Sequence, residues 1–305
     1  MTTPLLQVPA PAKVNLFLHV TGRRPDGYHL LQSVFMLLDW ADELDFELRP
    51  HGTISRQDLD HEANPHSPAL PETDLVVRAA QALQAATGCT QGAHIRLRKR
   101  LPQQAGLGGG SSDAATTLMA LNHLWQLGLS TTQLQSLGTQ LGADVPFFLC
   151  GHNAWVEGIG EQLQPIELPS AKLLIIKPPE GVSTPQIFGS EALPRSTKRV
   201  IISDFAALCK NLAGDLAPSF APSAQAPAWM QFGTNDLQSV AAQLCPSIQT
   251  GLEWLQSQGL QGRMTGSGSA LFAWAPHKVN TSSLPAGWQA HQCNNLLKHP
   301  FQSSR

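Results

Sequence analysis

Apolar positions in the first part of the chain fall into short runs that polar turns separate. Residues 14–20 (VNLFLHV) and 30–38 (LLQSVFMLL) are apolar runs of strand length, and residues 21–27 between them (TGRRPDG) are rich in Gly, Pro and charge. This arrangement predicts two strands joined by a turn. Residues 42–49 and 94–98 alternate apolar with polar side chains, which predicts further strands with one buried face. The first half of the chain therefore contains a sheet.

Helical periodicity appears next, between these strands. Leu75, Ala79 and Leu83 recur every four positions, so they share one face of a helix that Thr73 or Asp74 would cap. The helix lies between the alternating segments, and the first half is therefore expected to be mixed α and β.

Two more helices are predicted after a glycine-rich stretch. One begins at Ser111 or Ser112 and presents an apolar face over residues 111–127. The next begins at Ser130, where Gln133 completes a capping box. Both helices are expected to pack on the sheet.

The second half of the chain predicts another α+β unit. Its expected elements are a strand at 173–176, a helix beginning at 183–185, helices at 235–244 and 246–258, and a strand at 270–274 after the Gly-Ser loop 266–269. Residues 213–230 are rich in Ala, Pro and Ser and predict a long surface loop. The fold class expected from the pattern is α+β, in two units.

The composition and net charge indicate which classes of binding partner the chain can have. The 305 residues are 42% hydrophobic and 14% charged with a formal net charge of −2, which is typical of a folded globular protein without a basic surface. We therefore expect a small-molecule substrate, with neither nucleic acid nor membrane as partner. The sequence leaves a monomer and a homodimer both open. The five cysteines form no CxxC pair and no run reaches the ~18 apolar residues of a membrane span, so a cytoplasmic protein without signal or anchor is expected.

The clearest chemical signal is the segment LPQQAGLGGGSSD at residues 101–113. Its four glycines allow positive φ and close approach of backbone N–H groups to an anion, and the serines that follow begin a helix whose positive end favours phosphate. The segment fits neither the Walker A loop nor GxGxxG, because no Gly-Lys-Ser/Thr closes it and Ser111 occupies the last glycine position. Taken alone, the segment is as consistent with a flexible loop that ends in an ordinary serine cap as with a phosphate-binding loop.

Further motifs decide between these two interpretations. Residues 9–16 (PAPAKVNL), the glycine-rich segment and residues 264–272 (MTGSGSALF) occur in the order and spacing of the three motifs of the GHMP kinase superfamily, which the chain resembles. Segments 25–30 (PDGYHL), 142–148 (GADVPFF), 156–161 (VEGIGE) and 179–184 (PEGVST) are similar to one family within it, which phosphorylates a cytidine diphosphate-linked methylerythritol in non-mevalonate isoprenoid synthesis.

The resemblance implies a two-domain GHMP kinase fold of class α+β, with an N-terminal ATP-binding domain at residues 1–165, a C-terminal domain at 166–305 and the active site in the cleft between them. It implies transfer of the ATP γ-phosphate to the 2-hydroxyl of the acceptor, with Lys13 and Asp144 as catalytic residues. From the residues alone, a helix N-cap before Pro146 is the more common role for Asp144, and a solvated position at a strand start is the more common one for Lys13.

The resemblance also assigns the nucleotide site. ATP would be bound by Pro102, Gln103, Gln104, Ala105, Gly106, Leu107, Gly108, Gly109, Gly110, Ser111 and Ser112. Mg²⁺ is expected to accompany ATP, with the hydroxyl of Ser111 or Ser112 as candidate ligand. Two positions depart from the family pattern, because Gln104 stands where glycine is usual and Asp74 where an asparagine is common.

The acceptor site follows from the same resemblance. Asn15 would bind the methylerythritol hydroxyls, Tyr28 would stack on cytosine, His29 would bind its polar edge, and Phe188 and Thr184 would complete the substrate site. From the residues alone, Tyr28 could end a loop and His29 begin a strand.

Two other functions stay open. A GHMP kinase with a different acceptor is disfavoured by the Tyr28-His29 pair. A non-catalytic ATP-binding sensor on the same fold is disfavoured because both Lys13 and Asp144 are present.

Overall fold

A computed structural model describes residues 3–59, 70–210 and 226–303. The strands are β1 (Leu5–Arg23), β2 (His29–Arg49), β3 (Ile54–Leu59), β4 (Gly92–Arg98), β5 (Ala154–Glu157), β6 (Gln162–Pro165), β7 (Lys172–Lys177), β8 (Gly262–Met264), β9 (Leu271–Trp274) and β10 (Gln289–Asn294). The helices are α1 (Leu75–Thr87), α2 (Gly109–Leu124), α3 (Thr131–Leu141), α4 (Val145–Cys150), α5 (Thr184–Gly189), α6 (Ile202–Lys210), α7 (Ala228–Gln231), α8 (Gln238–Leu244), α9 (Ser247–Ser257) and α10 (Pro300–Ser303).

The first sheet has the order β3-β4-β2-β5-β6, and β1 also pairs with β2. The strands predicted at 14–20 and 30–38 are confirmed, but both are parts of longer strands. The separate strand expected at 42–49 is wrong, because β2 continues through it. Register shifts in the β1–β2 ladder let the two long strands bend, so that they stay paired where β2 becomes more polar.

Helices α1 to α4 cover one face of this sheet and share a core with it. Asp74, rather than Thr73, caps α1 by accepting the N–H groups of Val76 and Val77 at 3.1 Å. The capping box between Ser130 and Gln133 is confirmed at the start of α3. Local capping signals thus predict both helix starts correctly.

The second sheet has the order β10-β7-β9-β8, and α5, α8 and α9 pack against it. The helix start at 183–185 is confirmed, whereas the helix expected from residue 235 begins only at Gln238. In the predicted surface loop 213–230, residues 213–225 lie outside the described part of the chain. The rest includes α7, whose Trp229 and Met230 are buried, so the loop prediction is wrong there because these side chains join the core beneath β1.

The two halves are interwoven at the end of the described chain. After β10 the chain returns to the first sheet, where the Leu296 N–H donates to Leu37 O at 2.9 Å and Phe301 joins the first core. The α+β class is confirmed, while the division at residue 165 stays a prediction. Among the helices of the described ranges, none has both the length and the apolar character needed to cross a membrane.

Candidate active site

A cleft of about 760 Å³ lies where β1, the glycine-rich loop, the start of α4, helix α5 and the loop after β8 meet. Both halves of the chain line it. The predicted site residues that face it are Lys13, Asn15, Tyr28, His29, Gly106, Gly108, Ser111, Asp144, Thr184 and Phe188. Residues that are far apart in sequence thus converge on one cavity.

Lys13 points inward from β1 and is only 3% exposed. Its Nζ donates to Asn15 Oδ1 at 2.7 Å, lies 3.4 Å from Asp144 Oδ2 and is 4.7 Å from the centroid of the Phe35 ring. A solvated lysine is therefore excluded. A buried ammonium needs such partners, and here they hold its charge at the cleft wall.

Asp144 occupies the N-cap position of α4, but its side chain does not cap the helix. Its backbone is helical (φ −86°, ψ −12°) and its side chain makes no capping hydrogen bond. The carboxylate is 30% exposed and faces Lys13 across the cleft. The N-cap alternative is therefore right for the position of Asp144 but not for its side chain, which lines the cleft beside Lys13, where a substrate hydroxyl can reach it.

Asn15 shares the face of β1 that carries Lys13, as strand alternation requires. Its Oδ1 accepts from Lys13, and its amide nitrogen donates to Ser33 Oγ at 3.0 Å. The backbone N–H of Asn15 donates to Thr265 Oγ1 at 2.9 Å. Sequence reasoning missed Ser33 and Thr265 as positioning residues. Only the position of Thr265 within the 264–272 motif could have indicated it.

The glycine-rich loop packs backbone to backbone on the loop that follows β8. Gly106 (φ 74°) lies so close to it that a Cβ atom would be 2.2 Å from Thr265 O. At Gly108 (φ 72°) a Cβ atom would be 2.9 Å from Cζ of Phe148 and 3.2 Å from Cγ of Lys13. Glycine is therefore required at both positions by conformation and by space.

The expected start of α2 at Ser111 or Ser112 is wrong, because Gly108 occupies the N-cap position and the helix begins at Gly109. Both serines therefore lie in the first turn. Ser111 faces the cleft, while Ser112 is fully buried and does not line it. The other residues of the predicted ATP stretch lie outside the cleft lining: Pro102, Gln103, Gln104, Ala105, Leu107, Gly109 and Gly110.

Gln104 has φ 50°, the left-handed region that glycine enters without strain. Its carbonyl accepts the N–H of Ser269 at 3.2 Å, which ties it to the second Gly-Ser loop. The departure from the family's glycine at this position thus leaves a glycine-like backbone in place.

A buried ionic cluster, which sequence reasoning missed, anchors the entry to the glycine-rich loop. Lys99 Nζ contacts Asp42 Oδ2 and lies 2.7 Å from Asp113 Oδ2. The other oxygen of Asp42 accepts the N–H groups of Arg100 and Leu101 at 2.6 and 2.8 Å. The cluster links β2, the loop entry and α2, and it turns Asp113 away from the cleft.

Three aromatic side chains also line the cleft: Tyr28, His29 and Phe188. The Phe188 and His29 rings lie 5.0 Å apart at 31°, and Tyr28 is 60% exposed. Thr184 Oγ1 lies 2.6 Å from Ser267 Oγ, which joins α5 to the Gly-Ser loop. Burial, then the charges of Arg195 and Arg23, lower the pKa of His29, so its imidazole is neutral at pH 7.

Within the described ranges no three His, Cys, Asp or Glu side chains are close enough together to hold a metal ion. The cleft is lined by glycine-loop residues at the start of α2, by the Lys13–Asp144 pair and by the rings of Tyr28, His29 and Phe188. Such an arrangement suits a phosphorylated nucleotide and a second substrate that carries a ring.

Comparison with known proteins agrees with this geometry. The model "GHMP kinases N terminal domain" matches residues 74–152, and "GHMP kinases C terminal" matches residues 207–291. A 4-diphosphocytidyl-2-C-methyl-D-erythritol kinase of Paracidovorax citrulli is 54% identical over 301 residues, covering 97% of this chain and 96% of the relative. One of Acidovorax ebreus is 55% identical over 301 residues, covering 97% of each chain.

A crystal structure of 4-(cytidine 5'-diphospho)-2C-methyl-D-erythritol kinase superposes with a TM-score of 0.74 and 32% identity, covering 96% of this chain and 99% of that one. The expected two-domain GHMP kinase fold is thereby confirmed. The chain therefore belongs to the GHMP kinases and, among them, to the family of 4-diphosphocytidyl-2-C-methyl-D-erythritol kinases.

Proposed function

We propose that this protein transfers the γ-phosphoryl group of ATP to the 2-hydroxyl of 4-diphosphocytidyl-2-C-methyl-D-erythritol, a step of non-mevalonate isoprenoid synthesis. The observation that carries the proposal is the shared cleft, which joins the Lys13–Asp144 pair to a phosphate loop on one side and to His29 and Phe188 on the other. As a GHMP kinase the protein uses ATP and acts on a small molecule. The cytoplasmic location and the monomer or homodimer stay predictions.

In the proposed reaction the 2-hydroxyl oxygen bonds to the γ-phosphorus while the bond from that phosphorus to the β–γ bridging oxygen breaks. Asp144 accepts the hydroxyl proton, and ADP leaves. Lys13 offsets the negative charge that develops at the transferring group, since its Nζ is held 3.4 Å from Asp144 Oδ2 in a buried site. The buried position strengthens this electrostatic effect because little water screens it.

The phosphates of ATP are assigned to the N–H groups of residues 106–111 at the start of α2. Gly106, Gly108 and Ser111 line the cleft there, where the helix dipole favours negative charge. Mg²⁺ would be bound at the same place together with ATP, and the Ser111 hydroxyl would be its protein ligand. Bound Mg²⁺ neutralises phosphate charge. Ser112 is buried away from the cleft, so it is the weaker candidate.

At the acceptor end, Tyr28 and Phe188 supply rings for cytosine and His29 supplies a polar edge. Asn15 lies beside Lys13, within reach of the erythritol hydroxyls. This end of the cleft is what distinguishes the proposed acceptor from homoserine or mevalonate, which carry no ring.

A phosphorylation assay with a panel of acceptors tests the proposal. The purified protein is given ATP, Mg²⁺ and, separately, the cytidyl substrate, homoserine, mevalonate or phosphomevalonate, and products are identified by mass. The cytidyl substrate should be phosphorylated with the highest kcat/KM. Preference for another acceptor would refute the substrate assignment, and ATP binding without any product would indicate a sensor.

A further inference from the structure

Arg195 holds the imidazole of His29 from behind the cleft. Its Nε lies 3.4 Å from His29 Nε2, and its Nη2 donates to Ser190 O at 2.7 Å. Ser190 follows α5, whose Phe188 ring faces the same imidazole at 5.0 Å. Arg195 therefore joins the start of β2 to the end of α5 through one histidine.

The direction of the Arg195–His29 hydrogen bond follows from its chemistry. A guanidinium group only donates, so His29 Nε2 accepts and carries no hydrogen. A neutral imidazole with a bare Nε2 has its hydrogen on Nδ1. Burial, and then the charges of Arg195 and Arg23, lower the pKa of His29 and so favour this neutral form.

His29 Nδ1 has no hydrogen-bond partner within residues 3–59, 70–210 and 226–303, and His29 lines the cleft. It therefore presents a single N–H donor to a ligand. Cytosine has an acceptor at N3, whereas uracil carries a hydrogen there. The Nδ1–H group of His29 can therefore donate to N3 of cytosine. With uracil at the same place, two N–H donors would face each other and no hydrogen bond could form. A site built for one such hydrogen bond rejects the base that cannot make it.

We propose that Arg195 is a positioning residue that makes the acceptor site specific for cytosine, by fixing the His29 tautomer whose Nδ1–H donates to N3 of the base. This inference rests on the proposed function, because it takes the cytidyl compound as the acceptor. Arg195 touches no reacting atom, so it acts on recognition rather than on phosphoryl transfer.

The kinetic test compares the cytidyl substrate with its uridyl counterpart, which carries uracil in place of cytosine. In Arg195→Met the ratio of kcat/KM for the two compounds is expected to fall about tenfold or more, the scale of one lost hydrogen bond to a polar group. The change should lie in KM, with kcat at saturating cytidyl substrate retained. An unchanged ratio would overturn the proposal.

Arg199→Met is the matched control. Arg199 belongs to the same segment, but its side chain is 60% exposed and its Nη2 lies 2.6 Å from Glu157 Oε2, away from the cleft lining. This variant should keep the wild-type ratio. A similar fall in both variants would mean that the whole segment, and not the Arg195–His29 contact, determines specificity, and would refute the proposal.

Nitrogen-15 NMR of the histidine rings reads the tautomer without any turnover. The His29 signals are assigned by their loss in His29→Asn, and the wild type is expected to show protonated Nδ1 and bare Nε2. Hydrogen on Nε2 in the wild type would refute the proposal even if Arg195→Met did not fold. If the wild type had the expected tautomer but did not phosphorylate the cytidyl substrate, the proposed function would fail and this inference would fail with it. If only the Arg195 inference is wrong, the wild type still phosphorylates the cytidyl substrate.

Discussion

Replacing Lys99 with methionine removes the cation that two buried carboxylates share. Asp42 is fully buried, Asp113 is 2% exposed, and the Lys99 side chain is 16% exposed. After the replacement, Asp42 keeps two backbone N–H donors, from Arg100 and Leu101, but its buried carboxylate loses the Lys99 ammonium as ion-pair partner. Breaking a buried ionic pair from one side costs about 3–5 kcal/mol, and this is the expected loss in the free energy of unfolding.

Equilibrium urea unfolding, followed by tryptophan fluorescence, measures this loss. Lys278→Met serves as control, because Lys278 is an exposed lysine without an ion pair in the described chain, and it should stay within about 0.5 kcal/mol of wild type. A loss below about 1 kcal/mol in Lys99→Met, with an unchanged m-value, would refute the view that Lys99 neutralises the cluster.

The pH dependence of Asp113→Asn gives a second measure of the same cluster. Burial and the charge of Asp42 raise the pKa of the Asp113 carboxyl well above its ordinary value, against the opposing effect of Lys99. The folded protein then keeps a proton that the unfolded chain releases near pH ~4, so this group lowers stability as the pH rises through that window. The unfolding free energy of Asp113→Asn should therefore increase relative to that of the wild type as the pH rises above about 4. A difference between the two free energies that stays constant with pH would contradict the raised pKa.

Four other changes test the site. Asp144→Asn should lower kcat about a hundredfold or more with little change in KM, and near-normal turnover would exclude Asp144 as the base. Gly108→Ala should weaken ATP binding about tenfold, because alanine at φ 72° costs about 1–2 kcal/mol and bound ATP requires the original loop conformation. Calorimetry with ATP measures this change. Unchanged affinity in a folded variant would place the phosphates elsewhere. Tyr28→Ala should weaken the cytidyl substrate by about 1–3 kcal/mol while Tyr28→Phe stays mild, whereas equal damage in both would identify the hydroxyl as the contact. Gln104→Gly should raise stability by up to about 1 kcal/mol in urea unfolding, because it relieves φ 50°, while Gln104→Ala should not.

The sequence by itself determined the features that depend on nearby residues. Asp74 caps α1 through N–H groups two and three residues away, and Ser130 caps α3 through the N–H group of Gln133, three residues away, so these helix starts follow from local hydrogen bonding. The ordered motifs at 9–16, 101–113 and 264–272 likewise indicated the family, because three such motifs of glycine and polar residues rarely occur together by chance at this spacing. Local patterns failed where the chain continued a ladder past a polar stretch, as in β2.

Only the tertiary structure decided which groups meet. Lys99 and Asp42 are separated by 57 residues, Arg195 and His29 by 166, and Asn15 and Thr265 by 250. Sheet register and helix packing bring each pair together, and no periodicity along the chain encodes such pairing. The same applies to Ser112, which looks like its neighbour Ser111 in the sequence but turns into the core, because helix geometry rotates adjacent residues about 100° apart.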